Sequence, residues 1–286
     1  MSYVDLYMGG GPLLAGPGSG DAAAVVFGVP FDSTHSYRPG TRFGPDAIRE
    51  AFNNIEVFHP GLRADLEEVR IDDLGNAKHT VSPDVMVEMV GRITAELAGG
   101  GRQVIILGGE HSITYGSYPA FPAGTGYVVF DAHYDLRDSY ADARLSHASY
   151  LRRIIEDRGA DGIVHVGARA FAREEAEFLA QNKITCITDA EIRAGRGPAL
   201  LQDAASVFGG VYTSYDLDVL DPAFAPGVGN PEAAGITSRE LLDMVGALGS
   251  SKVLGADIVE LNPLFDSGAT AALAARIMSM TIAANL

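Results

Sequence analysis

The chain contains eight short apolar segments, which are separated by stretches with helical patterns. They lie at residues 22–29, 68–74, 103–107, 126–130, 163–166, 184–187, 211–218 and 252–260. Continuous apolar strands that alternate with helices are typical of a parallel sheet with helices on both faces. We therefore predict an α/β fold with three α/β/α layers and a mainly parallel sheet of about eight strands.

Proline and serine residues indicate where several helices begin. We expect one helix from Pro45 to about Phe58, and another that starts at Pro83 behind the N-cap residue Ser82. Further helices are predicted at 147–158, 173–181, 197–208, 238–249 and 268–284. Residues 1–21 are rich in glycine and proline and are expected to form a leader. Since no linker divides the remainder, a single domain over residues 1–286 is the prediction.

The net charge indicates which classes of partner suit the chain, and the cysteine content indicates its cellular compartment. Asp and Glu number 37 against 21 Lys and Arg, which gives a formal net charge of −16. An acidic surface repels nucleic acid and suits small cationic partners. No segment approaches the roughly 18 apolar residues of a membrane span, and the first 37 residues lack the basic residues of a targeting signal. With Cys186 as the only cysteine, we expect a reduced, cytoplasmic protein that binds neither nucleic acid nor membrane.

Three side chains that can bind metals follow the strand predicted at 126–130. Asp131, His133 and Asp135 alternate along the chain, so they share one side if the backbone stays extended. Two carboxylates and an imidazole that converge in this way would repel and stay solvated unless a cation held them together. The spacing therefore indicates a metal site.

Further candidates stand at the ends of other predicted strands. His111 follows two glycines after the strand at 103–107, Asp216 and Asp218 alternate near the end of 211–218, and Glu260 ends 252–260. Each has an ordinary explanation by itself, as a loop histidine, a turn residue or a strand-end carboxylate. Together they are harder to explain by coincidence, because ligands of parallel sheets lie beyond the carboxyl ends of the strands.

The combined set of side chains favours particular metals. Its members are His111, Asp131, His133, Asp135, Asp216 and Asp218. Four carboxylates and two imidazoles suit Mn²⁺-like ions better than a thiolate zinc site. Six such ligands exceed what one ion needs, so a two-metal site is implied.

Four motifs carry these residues. They are Gly-Gly-Glu-His-Ser at 108–112, Asp-Ala-His-Tyr-Asp at 131–135, Ser-Tyr-Asp-Leu-Asp-Val-Leu-Asp-Pro at 214–222 and Asp-Ile-Val-Glu at 257–260. With a further signature at 28–49, they resemble the ureohydrolases, the family of arginases and agmatinases. The resemblance covers residues 22–284 and implies an arginase-like fold, two Mn²⁺ ions, a small guanidino substrate and a homo-oligomer, either a trimer or a hexamer.

The resemblance also implies a role for each metal ligand. One Mn²⁺ would be held by His111, Asp131, Asp135 and Asp216, and the other by Asp131, His133, Asp216 and Asp218. Asp131 and Asp216 would thus bridge the two ions. Glu110 stands where arginases usually have aspartate, at a position not expected to bind metal.

Three residues are expected to be catalytic: Asp135, His147 and Glu260. A guanidinium stays protonated, with a pKa of about 13, and is a poor electrophile, so it needs the strong nucleophile that two metals can supply from water. Glu260 matches the carboxylate that grips the guanidinium by paired hydrogen bonds. Asp135 would pass the proton to the departing amine, and His147 matches a histidine that shuttles protons or contacts substrate.

The residues that follow the Asp131–Asp135 motif indicate which guanidino substrate is expected. Leu136 to Tyr140 differ from the arginase pattern and resemble agmatinase-type members, so the predicted reaction converts agmatine to putrescine and urea. Aminopropylagmatine, guanidinobutyrate, arginine and formiminoglutamate stay open, and a guanidino acid would fit if Arg137 or Arg38 reaches its carboxylate. His35 either lines the entrance or packs against its own loop.

Two other classes of function are also open. A metal-dependent deacetylase with the arginase fold would call for adjacent histidine general bases, and the chain has no His-His pair. A binding or assembly protein without activity would not need to keep every expected ligand, yet all of them are present.

Overall fold

The computed structural model describes residues 2–11, 14 and 21–286. In this part of the chain, nine strands form one sheet and two short strands form a separate hairpin. The strands are β1 Met8–Gly10, β2 Ala24–Val29, β3 Phe58–His59, β4 Ala64–Asp65, β5 Ile71–Ala77, β6 Gln103–Gly108, β7 Gly126–Phe130, β8 Ile163–Val166, β9 Thr185–Ile187, β10 Val211–Asp216 and β11 Val253–Val259.

The large sheet has the strand order β1-β5-β2-β6-β11-β10-β7-β8-β9. Every neighbouring pair is parallel except β1 with β5. The eight predicted apolar segments correspond to the eight parallel strands, which confirms the mainly parallel sheet. β5 begins later than predicted because the Asp65 side chain accepts a hydrogen bond from the Glu67 backbone N–H and caps a 3-10 turn at Leu66–Glu68.

The helices largely follow the predicted pattern. They are α1 Tyr3–Tyr7, α2 Gly44–Phe52, α3 Pro83–Ala98, α4 Thr114–Ser117, α5 Tyr150–Arg158, α6 Arg173–Gln181, α7 Asp189–Arg193, α8 Gly197–Ala205, α9 Ser238–Ala247 and α10 Ala269–Ala283. The short helices α1, α4 and α7 were not predicted, since a pattern of four or five residues is too short to show a helical period.

Three helix boundaries differ from the prediction by three residues or more: the end of α2, the start of α5 and the end of α8 at Ala205. The first two have local reasons. α2 ends at Phe52, and Phe58 instead belongs to the small hairpin of β3 and β4. α5 begins at Tyr150, because the Ser149 hydroxyl accepts from the Ser146 backbone N–H and holds a turn there. His147 therefore lies in a loop and not in the predicted helix.

The predicted leader at 1–21 is only partly described. α1 and β1 fall within it, and β1 extends the sheet by pairing with β5. Residues 1, 12–13 and 15–20 of the leader lie outside the described residues. Among the described residues, the structure has no helix that is long and apolar enough to cross a membrane.

Two hydrophobic cores lie on opposite faces of the sheet. Along β2, Val25 and Phe27 belong to one core, whereas Ala24 and Val26 belong to the other. The first core packs against α3 and α5, and the second packs against α2, α8, α9 and α10. This alternation is what a strand buried on both faces produces, and it gives the three predicted α/β/α layers.

A buried arginine ties α2 to the sheet. Arg49 has no exposed side-chain surface, and its guanidinium donates to both carboxylate oxygens of Asp73 at 2.7 and 2.9 Å. It also donates to the Asn76 side chain and to the Gly75 carbonyl. A buried charge needs such complete pairing, so this arginine fixes α2 against β5.

Candidate active site

The predicted site residues lie at the carboxyl ends of four strands that are neighbours in the centre of the sheet. These strands follow one another in the order β6, β11, β10 and β7. His111 comes after β6, Asp131 after β7, Asp216 ends β10 and Glu260 comes after β11. Because parallel strands end at the same edge, residues far apart in sequence meet there.

The side chains of the Asp131–Asp135 and Asp216–Asp218 motifs converge, but not through the extended strand geometry that was predicted. β7 ends before Asp131, so His133 and Asp135 lie beyond the strand, and Asp135 has a left-handed φ of 53°. Asp218 lies in a 3-10 turn after β10 and not on a strand face with Asp216. Local hydrogen bonds hold both turns: the His133 and Asp218 backbone N–H groups donate to Asp131 and Asp216, respectively, two residues earlier. The expectation of a shared strand face is therefore wrong, although the side chains do meet.

One group of side chains surrounds the Nδ1 atom of His111. This atom lies 3.0 Å from Asp131 Oδ2, 3.0 Å from Asp216 Oδ2 and 3.7 Å from Asp135 Oδ2. The ligand atoms of His111, Asp131 and Asp135 are close enough together to hold a metal ion. All four side chains are buried.

A second group surrounds the Nδ1 atom of His133. It lies 3.0 Å from Asp218 Oδ2 and 3.5 Å from Asp131 Oδ1. The ligand atoms of Asp131, His133 and Asp218 again lie within reach of one ion. Asp131 is thus common to both groups, as a bridging carboxylate would be.

The electrostatics of the two groups fit cations. Burial, followed by repulsion from neighbouring carboxylates, raises the pKa of Asp135 and Asp216 well above the usual range. His111 Nδ1 and Asp131 Oδ2 are buried and have no hydrogen-bond partner among the described residues. Such unpaired polar atoms are costly in a protein interior, and divalent cations would satisfy both the atoms and the excess of negative charge.

A buried hydrogen-bond network on the Nε2 side of the ring orients His111. Its Nε2 atom lies 2.8 Å from both the Ser214 hydroxyl and the Tyr150 hydroxyl, and Ser214 in turn donates to the fully buried Asp257. An N–H on Nε2 leaves Nδ1 free to bind a metal. None of these three residues was predicted to have a role, although Asp257 is a carboxylate in the otherwise apolar strand β11 and pairs in register with Ser214 of β10.

Glu260 lies beside the His111 group with both carboxylate oxygens engaged. Oε1 accepts the His111 backbone N–H at 2.9 Å, and Oε2 lies 2.8 Å from His35 Nε2. The residue has a left-handed φ of 66°, a backbone conformation that glutamate rarely adopts. Burial alone would raise its pKa, but the charge and hydrogen bond of His35 lower it, so Glu260 is ionised.

His147 is buried at the edge of the same site. Its Nδ1 lies 3.2 Å from the Thr34 hydroxyl, and that hydroxyl donates to the buried Glu110. Burial, then the nearby charge of His35, lowers the pKa of His147 to about 4, so this imidazole is neutral at neutral pH. Glu110 contacts Thr34 and Ser112 and lies in neither of the two metal-binding groups.

Comparison with known proteins decides the family. The family model described as "Arginase family" matches residues 22–283. The chain is 34% identical to the agmatinase of Bacillus anthracis over 93% of its own length and 92% of that protein. It is also 34% identical to the guanidinopropionase of Pseudomonas aeruginosa, over 92% of its own length and 87% of that protein. The crystal structure of agmatine ureohydrolase from Thermoplasma volcanium superposes with a TM-score of 0.88 at 35% identity, over 92% of this chain and 90% of that one.

The chain belongs to the arginase family. It is a ureohydrolase, a hydrolase that acts on guanidino compounds. The arginase-like fold predicted from the sequence is confirmed. The family is metal-dependent, in agreement with the two groups around His111 and His133.

A cavity of about 330 Å³ opens onto the site of this ureohydrolase. It is lined by Ser36, His133, Asp135, Arg137, Tyr140, His147, Ala148, Ala170, Phe171, Ala172, Glu175, Asn230 and Glu232. Glu232 Oε1 lies 3.5 Å from His133 Nε2. A larger groove of about 810 Å³ lies between α3 and α4, with Tyr3 of α1 at its edge, away from these residues.

The two arginines considered for substrate binding have different places in the ureohydrolase. Arg137 lines the cavity, and its guanidinium lies 3.8 Å from Glu174 and 3.9 Å from Glu175. Arg38 lies over the aromatic rings of Tyr37 and Phe265 and is not part of the cavity wall. His35 was expected either to line the entrance or to pack against its own loop; its Nε2 atom instead lies 2.8 Å from Glu260 Oε2, and it is not part of the cavity wall.

Proposed function

We propose that this ureohydrolase binds two Mn²⁺ ions and cleaves agmatine to putrescine and urea. The observation that carries the proposal is the shared position of Asp131 between two groups of ligand atoms, of which the first is buried and the second includes the partly exposed His133. A single ion would not need both histidines, which lie on opposite sides of that carboxylate. Two divalent ions would account for the complete set of six side chains.

The proposed ligands divide into two sets. His111, Asp131, Asp135 and Asp216 would hold one ion; Asp131, His133, Asp216 and Asp218 would hold the other. The 3.0 Å approach of Asp216 to His111 Nδ1 supports its place in the first set, and its place in the second rests on the family resemblance. When bound, a pair of divalent cations lowers the pKa of water and supplies a nucleophile near neutral pH.

The side chains of the protein would bind the guanidinium and move protons. Glu260 would accept paired hydrogen bonds from the planar group, which favours bidentate contact with a carboxylate. Asp135 lines the cavity and would pass a proton to the departing amine nitrogen. His147 also lines the cavity as a neutral imidazole, so it can accept a proton and release it to solvent.

The charges around the cavity favour a substrate with a cationic tail. Glu175 and Glu232 line the wall together with Arg137, and Arg137 lies near both Glu174 and Glu175. The positive charge of Arg137 is therefore balanced by nearby carboxylates, and Glu232 adds a further negative charge to the cavity wall. Agmatine, with an ammonium at its far end, suits this wall better than a guanidino acid.

Assays of urea release test the proposed reaction. The Mn²⁺-loaded protein would be assayed for urea release from agmatine, aminopropylagmatine, guanidinobutyrate, guanidinopropionate and arginine, with metal content measured in parallel. Formiminoglutamate would be assayed for release of formamide, because hydrolysis leaves its formimino carbon with one nitrogen and cannot give urea. We expect two metal ions per chain and the highest kcat/KM for agmatine. Preference for a guanidino acid would contradict the cationic tail, and the absence of urea from every compound would contradict the reaction.

The assembly is a separate proposal. The family resemblance favours a homo-oligomer, either a trimer or a hexamer. Light scattering coupled to size-exclusion chromatography would give the mass in solution, and a single 30.1 kDa chain at micromolar concentration would contradict the proposal.

A further inference from the structure

Within residues 2–11, 14 and 21–286, Glu260 has two hydrogen-bond partners, one on each carboxylate oxygen. The His111 backbone N–H approaches Oε1 at 2.9 Å and His35 Nε2 approaches Oε2 at 2.8 Å. An ionised carboxylate offers about four acceptor positions. The two protein contacts therefore leave roughly one position on each oxygen, which is the pattern that a bidentate guanidinium requires.

Packing contacts hold the His35 ring beside Glu260. The His35 side chain has no exposed surface, and its ring stacks on the ring of His147 with centroids 5.3 Å apart and planes 8° apart. Gly229 lies directly against it, because a Cβ at that position would come within 2.1 Å of His35 Cε1. Any larger residue at 229 would displace the imidazole from Glu260.

The charges around His35 favour the contact with Glu260. Burial alone would lower the pKa of His35, but Glu260 and the more distant Glu110 and Asp32 together raise it to about 9. The ring is therefore a cationic donor at neutral pH, and its hydrogen bond to Glu260 is charge-assisted. The Nδ1 atom has no hydrogen-bond partner among the described residues, so the contact with Glu260 is the polar contact that holds the ring.

We propose that His35 is a positioning residue, which fixes the Glu260 carboxylate in the orientation that receives the guanidinium of the substrate. The proposal rests on the function proposed above, in which Glu260 binds that group. Without the imidazole, Oε2 loses its partner and the carboxylate rotates about its terminal bond. The guanidinium would then bind with its central carbon away from the reacting position.

Two substitutions distinguish the effect of the His35 hydrogen bond from the effect of its ring packing. His35→Phe keeps an aromatic ring against His147 but removes the donor, whereas His35→Gln keeps an N–H near the position of Nε2 but removes the ring. His79→Phe is the matched control, since His79 is exposed in the loop before α3. Thermal unfolding and metal content of each Mn²⁺-loaded variant would establish that it folds and binds metal.

The first readout is steady-state hydrolysis of the best guanidino substrate. We expect His35→Phe to lower kcat/KM by about 10- to 100-fold, the range of a hydrogen bond to a charged group, with both ions retained. His35→Gln should recover most of that loss, and His79→Phe should match the wild type. The proposal is overturned if His35→Phe keeps full activity or exceeds the wild type, or if the Gln and Phe variants lose activity equally.

The second readout does not depend on turnover. Binding of methylguanidinium to the metal-loaded protein would be measured by titration calorimetry, and we expect His35→Phe to weaken it at least tenfold. If the wild type released no urea from any compound but bound methylguanidinium in this His35-dependent way, the proposed reaction would fail while the positioning role stood. Equal binding to the wild type and to His35→Phe would refute the positioning role even in an active ureohydrolase.

Discussion

Replacement of Glu260 by glutamine is the sharpest test of how this site recognises its substrate. The change keeps the shape of the side chain and removes its charge, at a residue that lies in neither of the two metal-binding groups. One of the two hydrogen bonds from the guanidinium would become a weaker, neutral one, and the other would be lost, because the amide NH₂ group donates and cannot accept. The weakening costs about 1–1.5 kcal/mol and the lost bond about 1.5–3 kcal/mol, which together correspond to roughly a 70- to 2000-fold loss in kcat/KM.

The protein contacts of Glu260 add to this effect. An amide has one oxygen, so if it accepts the His111 N–H, its NH₂ group faces His35 Nε2. The Glu260 carboxylate is the main group that raises the pKa of His35, so in this variant the charge-assisted bond gives way to a neutral one, at a cost of about 1–1.5 kcal/mol. We therefore expect Glu260→Gln to bind both metal ions, to lose kcat/KM by about 100-fold or more, and to be less stable than the wild type.

The pH dependence of stability distinguishes this explanation from a general loss of packing. Glu260 helps to raise the pKa of His35 from 6.5 to about 9. That contribution to stability is fully present below about pH 6.5 and is lost as the pH rises through about 9; it amounts to at most about 3 kcal/mol. The stability difference between the wild type and Glu260→Gln, measured by denaturant unfolding, should therefore shrink between about pH 6.5 and pH 9.

Two results would refute the reasoning about Glu260. Full activity of Glu260→Gln on every guanidino compound would show that this carboxylate does not grip the guanidinium. A stability difference that stays constant over the whole pH range would show that the pair with His35 contributes nothing to folding.

Three further outcomes are expected. Ser214→Ala should weaken metal binding about 10- to 100-fold, because the hydroxyl orients His111. Removal of metal by a chelator should destabilise the protein, and Mn²⁺ at about 100 times its Kd should restore roughly 2.7 kcal/mol. Arg49→Leu should cost about 3–5 kcal/mol of unfolding free energy, because it leaves the Asp73 carboxylate without its buried partner.

Each of these outcomes has a control and a contrary result. Ser206→Ala removes an exposed hydroxyl and should leave metal affinity unchanged, so equal loss in both serine variants would contradict the role of Ser214. Ca²⁺ in place of Mn²⁺ tests whether any divalent ion restores stability; if chelation left unfolding unchanged, the buried carboxylates would not need a cation. Arg239→Ala breaks an exposed pair and should cost under about 1 kcal/mol; a similar cost at Arg49 would contradict its structural role.

The fold could be predicted well from the sequence because strands buried on both faces are apolar along their whole length. All eight parallel strands were located, six of them as segments that are buried along almost their whole length, whereas β5 and β9 are only partly buried. Asp65 shifted the start of β5, and Asp216 ended β10 two residues early. The short helices and β1 escaped prediction, since a few residues show no period and β1 is made mostly of glycine.

The candidate site was also only partly predictable from the sequence. The sequence shows which side chains stand at the strand ends, since His111, the aspartates and Glu260 are polar residues that follow apolar segments. How these side chains meet depends on the folded chain: Asp135 has a left-handed backbone conformation, and Asp218 reaches its group from a 3-10 turn. The tertiary structure also brought His35 onto Glu260, 225 residues later in the chain. No periodicity or spacing encodes such a contact, because it depends on the packing of a loop against the glycine at 229.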